Sequence, residues 1–160
     1  MTPPQPDGEP ITPEGFTALE AEVEALQTAG RQAMAKRILA AREDGDLKEN
    51  AEYHIAKDDQ AHLETRIKRL RQRLRNAVVV ETDADQATLT FGRTARVLDE
   101  ASGKVQTWTI VGPTEADLSQ GRLSAESPVA QALLGRAAGD AVEVETPGGT
   151  RRYRIEELVS

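Results

Sequence analysis

Two apolar stripes at helical spacing, separated by one tight turn, constrain this chain more than any other feature. Phe16, Leu19, Val23 and Leu26 follow a 3-4-3 spacing that continues more weakly through Met34, Ile38 and Ala41. Beyond the turn, Ala56, Leu63, Ile67, Leu70, Leu74 and Ala77 keep a heptad-like spacing, with Gln60 filling the seam position between the first two. Thr12-Pro13 opens the first stripe as an N-cap followed by proline at the first helical position. A narrow apolar stripe on each of two successive helices predicts an antiparallel coiled-coil hairpin. Two arms of a larger bundle are the rival, but the rest of the chain supplies no further long helices. At 1.5 Å per residue, an arm of about 30 residues is ~45 Å long, enough to carry its tip deep into a narrow channel.

The turn is Asp44-Gly45-Asp46, where Gly45 can adopt the positive φ that ends a helix. Asp46 and Glu49 have the D-x-x-E spacing of a helix start, so one reading makes them a capping pair. The other reading is chemical. A hairpin tip presents Asp44, Asp46 and Glu49 together, and clustered hydrated carboxylates suit a hard cation such as Mg²⁺. The tip alone cannot complete an octahedral shell, so no tightly bound metal is expected on the free protein. Its carboxylates suit a metal whose other ligands belong to a partner.

Charge limits the partners. The net charge of −7 argues against nonspecific duplex binding as the main task. Residues 1–80 carry 12 Lys/Arg against 14 Asp/Glu, and residues 81–160 carry 8 against 13, so any nucleic-acid contact is expected in the first half. There is no cysteine, which excludes disulfides and thiolate metal sites. No apolar run approaches the ~20 residues that span a bilayer, and the start lacks the pattern of a signal peptide. A cytoplasmic protein without membrane contact is expected, and a monomer, because one chain fills its own seam. Residues 1–11, with Pro3, Pro4, Pro6 and Pro10, read as a disordered tail. Residues 12–80 read as the hairpin, with its acidic tip near 44–49, and residues 81–160 as a globular domain.

Six basic residues and no acid lie between Arg66 and Arg75. In an antiparallel hairpin Arg71 and Arg73 are expected level with Glu20, Glu22 and Glu24, so flank ion pairing accounts for most of them. Nearer the tip, Lys36, Arg37, Arg42 and Lys57 have fewer obvious partners. They read either as solvated helix faces or as a basic collar holding an RNA phosphate backbone. His54 and His62 are not at metal-ligand spacing with each other.

After Asn76 the period becomes alternating. Ala77–Val80, Leu89–Leu98, Val105–Val111, Ala141–Thr146 and Arg151–Val159 read as strands, with a hairpin turn at Pro147-Gly148-Gly149. Ser127 caps a short helix with Pro128 at its first position, Val129, Ala132 and Leu133 on its buried side, and Gly135 at its end. A small antiparallel sheet with one short helix is an α+β domain, with Trp108 in its core. This half shows no nucleophile motif, no phosphate-cradling glycines and no convergent acid–base set.

The run Gly45-Asp-Leu-Lys-Glu-Asn-Ala-Glu-Tyr53 resembles the tip signature of bacterial Gre transcript-cleavage factors, and the whole chain is similar to the GreA branch. A second block agrees: Ser127-Pro-Val-Ala-Gln-Ala-Leu-Leu-Gly135, then Gly139-Asp140, then Thr146-Pro-Gly-Gly149. The resemblance implies a factor that restarts backtracked bacterial RNA polymerase by stimulating the polymerase's own RNA cleavage, itself no enzyme. Asp46, aided by Glu49, would help hold a second Mg²⁺ shared with the polymerase after the hairpin enters its secondary channel. Arg37, Arg42 and Lys57 would contact the nascent RNA 3′ end or the channel. The resemblance also implies an FK506-binding-protein-like fold for the globular half, docking on polymerase around Glu126, Ser127 and Pro128. Two alternatives stay open. Some paralogues carry a more acidic tip and inhibit polymerase, and Asp44 adds one acid here. A structural coiled-coil adaptor is the other.

Overall fold

The computed structural model describes residues 8–45, 50–83 and 85–159, which form two compact units. One unit is the helical hairpin, residues 16–76; the other comprises the N-terminal segment through Gly15 and the chain from Ala77 onward.

The first arm runs through α1 (Pro13–Ala25), a π-helical turn (Leu26–Gly30) and α2 (Arg31–Glu43). The Thr12 hydroxyl accepts from the Gly15 N–H at 3.0 Å, which is the expected cap. The π turn is a departure from the regular helix that the periodicity suggests. Leu26, Gly30, Met34 and Ile38 are spaced by fours, and three such steps in a row outrun a 3.6-residue period. One widened turn, in which the Arg31 N–H bonds back to the Leu26 carbonyl, returns Met34 and Ile38 to the half-buried seam. The second arm is the unbroken α3 (Ala51–Asn76).

Pairing across the arms is antiparallel: Glu22 with Arg66, Arg31 with Glu64 and Arg37 with Asp59. Glu22 is therefore met by Arg66. Leu19, Val23, Ala41, Ala56 and Ile67 are buried in the seam, while Gln60, Leu63, Leu70 and Leu74 are half-buried. The ion pairs on the flanks are solvent-exposed, so each stabilises little. The dry stripe between the arms holds them together.

In the other unit, β1 (Glu9–Ile11) pairs in parallel with β2 (Ala77–Val79). This corrects the tail boundary: Glu9–Ile11 are ordered by a partner 68 positions away, a relation that local composition does not carry. Met1 to Asp7 of that tail lie outside the described residues. A clasp holds the strand. Glu9 accepts from the Thr114 N–H at 3.1 Å and from its hydroxyl, and Glu115 accepts from the Thr12 N–H at 2.8 Å and from its hydroxyl.

The main sheet has the order β5-β4-β3-β7-β6, from β3 (Thr94–Asp99), β4 (Val105–Val111), β5 (Arg122–Ser124), β6 (Ala141–Thr146) and β7 (Gly149–Leu158). All neighbours are antiparallel except β4 and β5. The strand expected from Leu89 begins only at Thr94. Gly92 (φ 86°) turns the chain, and its N–H bonds the Ile110 carbonyl at 2.7 Å. Leu89 still enters the core, through a backbone exchange with Gly135 and Arg136. β5 lacks the alternation that would announce it. The short helix α4 (Pro128–Leu133) starts as expected, but Ala130 and Leu133 are its fully buried residues and Val129 and Ala132 only partly so. Trp108 packs edge-on to Tyr153, with ring centroids 5.7 Å apart, at the border of this core.

Candidate functional site

The end of the hairpin is built from α2 inward and α3 outward. The Asp44 N–H bonds the Ala41 carbonyl at 3.3 Å, and Gly45 follows with φ 137°. Asp46, Leu47, Lys48 and Glu49 lie outside the described residues, so the two tip carboxylates do too. The chain resumes at Asn50, whose side-chain Oδ1 accepts from the Tyr53 N–H at 3.1 Å while its carbonyl accepts from the His54 N–H at 3.2 Å. Asn50 is thus the N-cap of α3, a role that the D-x-x-E spacing assigns to Asp46. Its Nδ2 donates to the Ala41 carbonyl, tying the outgoing arm to the incoming one. Ala41 and Ala56 are both buried here, two small residues in the last seam positions before the turn.

The basic collar divides. Arg37 is paired with Asp59 at 2.6 Å, and the Lys57 ammonium donates to Gln60 at 2.9 Å. Lys36 and Arg42 are exposed and have no side-chain partner among the described residues. Tyr53 and His54 meet edge to face at 5.6 Å. Among the described residues no three His, Asp or Glu side chains are grouped closely enough to hold a metal ion. Two tip carboxylates offer the hard oxygens that Mg²⁺ prefers but only part of its shell, so the donor set fits a shared ion.

On the globular unit, Glu126 and Pro128 are exposed and Ser127 is half-buried. The Ser127 hydroxyl donates to the Ser124 carbonyl at 2.7 Å and accepts from the Ala130 N–H at 3.2 Å, so its hydrogen bonding is spent on the helix start. Two buried polar residues escape a sequence reading. Arg93 donates its guanidinium to the carbonyls of Gln86 and Thr88. Asp99 accepts from the N–H groups of Ala101 and Ser102 and meets Arg151 at 3.3 Å. Burial opposes its ionisation, but those N–H bonds, the Ser102 hydroxyl and the Arg151 charge outweigh it and hold its carboxyl below the ordinary range.

Residues 9–79 match the family described as "Transcription elongation factor, N-terminal", and residues 84–159 match "Transcription elongation factor, GreA/GreB, C-term". The chain is 46% identical to the transcription elongation factor GreA of Ruegeria pomeroyi, over 91% of this chain and 94% of that one. This chain belongs to the GreA/GreB transcription elongation factors. Within them it stands on the GreA branch: GreA of Alkalilimnicola ehrlichii is 45% identical over 93% of this chain and 96% of its own. Among solved structures, the GreA factor homolog 1 (Gfh1) protein of Thermus thermophilus is 26% identical, covers 94% of this chain and 98% of its own, and has a TM-score of 0.41. A GreA/GreB factor from Nitrosomonas europaea is 33% identical over 65% of this chain and 93% of its own, also at 0.41. No described helix of this GreA/GreB factor is long and apolar enough to cross a membrane.

Proposed function

We propose that this chain rescues backtracked bacterial RNA polymerase in the cytoplasm by stimulating the polymerase's own RNA cleavage. The observation that carries the reading is the acidic segment Asp44–Glu49 at the closed end of a two-helix hairpin, in a chain of the GreA/GreB family. The hairpin enters the secondary channel, and Asp46 and Glu49 lend carboxylate oxygens to a Mg²⁺ held chiefly by the polymerase. When bound there, that ion polarises the scissile phosphate and lowers the pKa of an attacking water. Asp46 and Glu49 orient that water, and the polymerase remains the enzyme. Arg42 and Lys57 face the RNA 3′ end or the channel wall, and Arg37 joins them once released from Asp59. The globular unit docks on the polymerase surface through exposed Glu126 and Pro128, with Ser127 shaping their loop. The free factor is a monomer.

The test is RNA cleavage in stalled, backtracked elongation complexes at matched polymerase occupancy. Wild type is expected to release a 3′ RNA fragment, and Asp46→Ala and Glu49→Ala to bind without releasing it. A wild type that binds and blocks without cleaving overturns the reading in favour of an inhibitory factor. A wild type that does not bind overturns it in favour of an adaptor.

A further inference from the structure

The five-stranded sheet ends on an open strand. β6 (Ala141–Thr146) has β7 on one side and no strand on the other, whereas β5 at the far edge is only 3 residues long. Its spare backbone groups follow from the bonding pattern. Ile155 donates its N–H to the Asp140 carbonyl at 2.9 Å, and the register then pairs Val142 with Tyr153 and Val144 with Arg151. Every second residue of an antiparallel strand bonds across, so the N–H and C=O groups of Ala141, Glu143 and Glu145 point away from β7. No described backbone group outside the ladder bonds them. Side chains alternate in step. Val142 and Val144 are buried on the core face, where α4 packs against the strand, and Glu143 and Glu145 are exposed on the other face. The arginines of β7 are engaged elsewhere: Arg152, opposite Glu143, and Arg154 both bond Glu100 at 3.0 Å, and Arg151 meets Asp99 at 3.3 Å. Glu143 and Glu145 have no ion-pair partner among the described residues.

We propose that the open edge of β6 is a strand-addition site for an extended, proline-free segment of a partner protein in which lysine or arginine alternates with β-branched or aromatic residues. Main-chain bonds to Ala141, Glu143 and Glu145 hold such a segment, and its alternate side chains give specificity. The two faces of β6 dictate the pattern. Residues opposite Glu143 and Glu145 are cationic, because opposite charges on directly facing positions stabilise a strand pair and like charges oppose it. Residues between them fall on the core face beside Val142 and Val144 and are apolar. β7 meets the same demands on the other side of β6: Arg152 and Arg154 lie on the charged face, and Tyr153 and Ile155 are buried in the core. The charges also argue against a second copy as the occupant. Antiparallel pairing of two β6 edges sets Glu143 and Glu145 of one chain against those of the other. Charged edges deter indiscriminate pairing, and here the acids act as a filter that rejects another β6 and admits a basic strand. None of the residues assigned to cleavage takes part, so the inference does not rest on that reading.

The experiment uses the full chain and two fluorescent probes at physiological ionic strength: a Lys-Val-Lys-Val-Lys-Val peptide amide, and the same peptide methylated on its lysine backbone nitrogens. Methylation keeps every charge and removes the donors that face β6. Anisotropy measures affinity, and amide exchange followed by NMR locates the contact. The unmodified peptide is expected to bind saturably and to slow exchange at the N–H groups of Ala141, Glu143 and Glu145. The methylated peptide is expected to bind at least about tenfold more weakly. Replacing both acids, Glu143→Lys with Glu145→Lys, is expected to weaken the unmodified peptide about tenfold, with Trp108 fluorescence unchanged as the check that the sheet is intact. Equal binding of the two peptides reduces the contact to charge attraction and overturns the proposal. Protection that falls elsewhere, or no binding, overturns it too. Concentration-dependent protection of the same three N–H groups without peptide overturns it in favour of a second copy of the chain.

Discussion

A methyl group placed on Gly112 would lie 1.9 Å from the carbonyl oxygen of Pro10. That contact is backbone against side chain, so no rotamer change relieves it. Gly112 also donates its N–H toward Glu115 at 3.4 Å, inside the clasp that holds β1. Gly112→Ala is therefore expected to push β1 off β2 and destabilise the globular unit by about 1–3 kcal/mol, the usual cost of overpacking. Denaturant unfolding followed by Trp108 fluorescence measures it; an unchanged midpoint would contradict the contact.

Gly30 is the opposite case. It sits in the first arm with φ −63° and ψ −48°, and an added Cβ would find its nearest neighbours, Ala25, Leu26 and Leu63, at 3.6–3.7 Å. Those are ordinary packing distances. Gly30→Ala removes the entropic cost of a helical glycine and is expected to stabilise the hairpin by about 0.5–1 kcal/mol. A circular-dichroism melt of the full chain would show a higher midpoint; a lower one would mean that the π turn needs the glycine.

Asp99 and Asp117 give the globular unit an acid-sensitive component. For Asp117, the Ser119 hydroxyl bond is the main cause that lowers its carboxyl, opposed by burial and aided by the Ser119 N–H and Arg122. Both folded values lie below the unfolded value near 3.9, so the unfolded chain binds more protons in between and stability rises with pH there. Their contribution is complete above that unfolded value and is lost as the pH falls through the folded ones. Asp99→Asn is expected to flatten the stability–pH curve in that acidic window and to leave its slope near neutrality alone. Urea titrations at a series of acidic pH values decide this.

The Arg37–Asp59 pair is exposed on both sides, 47% and 44%. A double-mutant cycle with Arg37→Ala and Asp59→Ala is expected to return a coupling of about 0.2–1 kcal/mol that shrinks in 1 M salt. Asp59→Ala also frees Arg37 near the tip. If Arg37 serves the RNA, that variant should reach half-maximal cleavage at a lower factor concentration than wild type, and an unchanged value would exclude Arg37 from the contact.

The parts of this protein that its sequence displays are those made by near neighbours. The seam from Leu19 to Leu74, the Thr12 and Ser127 caps, the positive φ at Gly45 and the β6–β7 hairpin all follow from relations within about one helical turn or one tight turn. The acids proposed above for a shared metal are equally plain, because carboxylate chemistry belongs to the residue type. Relations spanning long stretches of chain are different. Glu115 reaching Thr12 across 103 positions, β1 lying beside β2, and the buried Arg93 were all settled by which surfaces meet in the folded chain. At the tip, local spacing favours Asp46 as the helix cap, yet Asn50 holds that place. Asn50 also bonds Ala41 on the opposite arm, and that carbonyl comes within reach only after the hairpin has closed. Sequence determined the hairpin and the acidic residues of the segment that joins its two arms. Tertiary structure decided which side chain holds that end together, because a hydrogen bond across two helices depends on their approach and not on residue spacing.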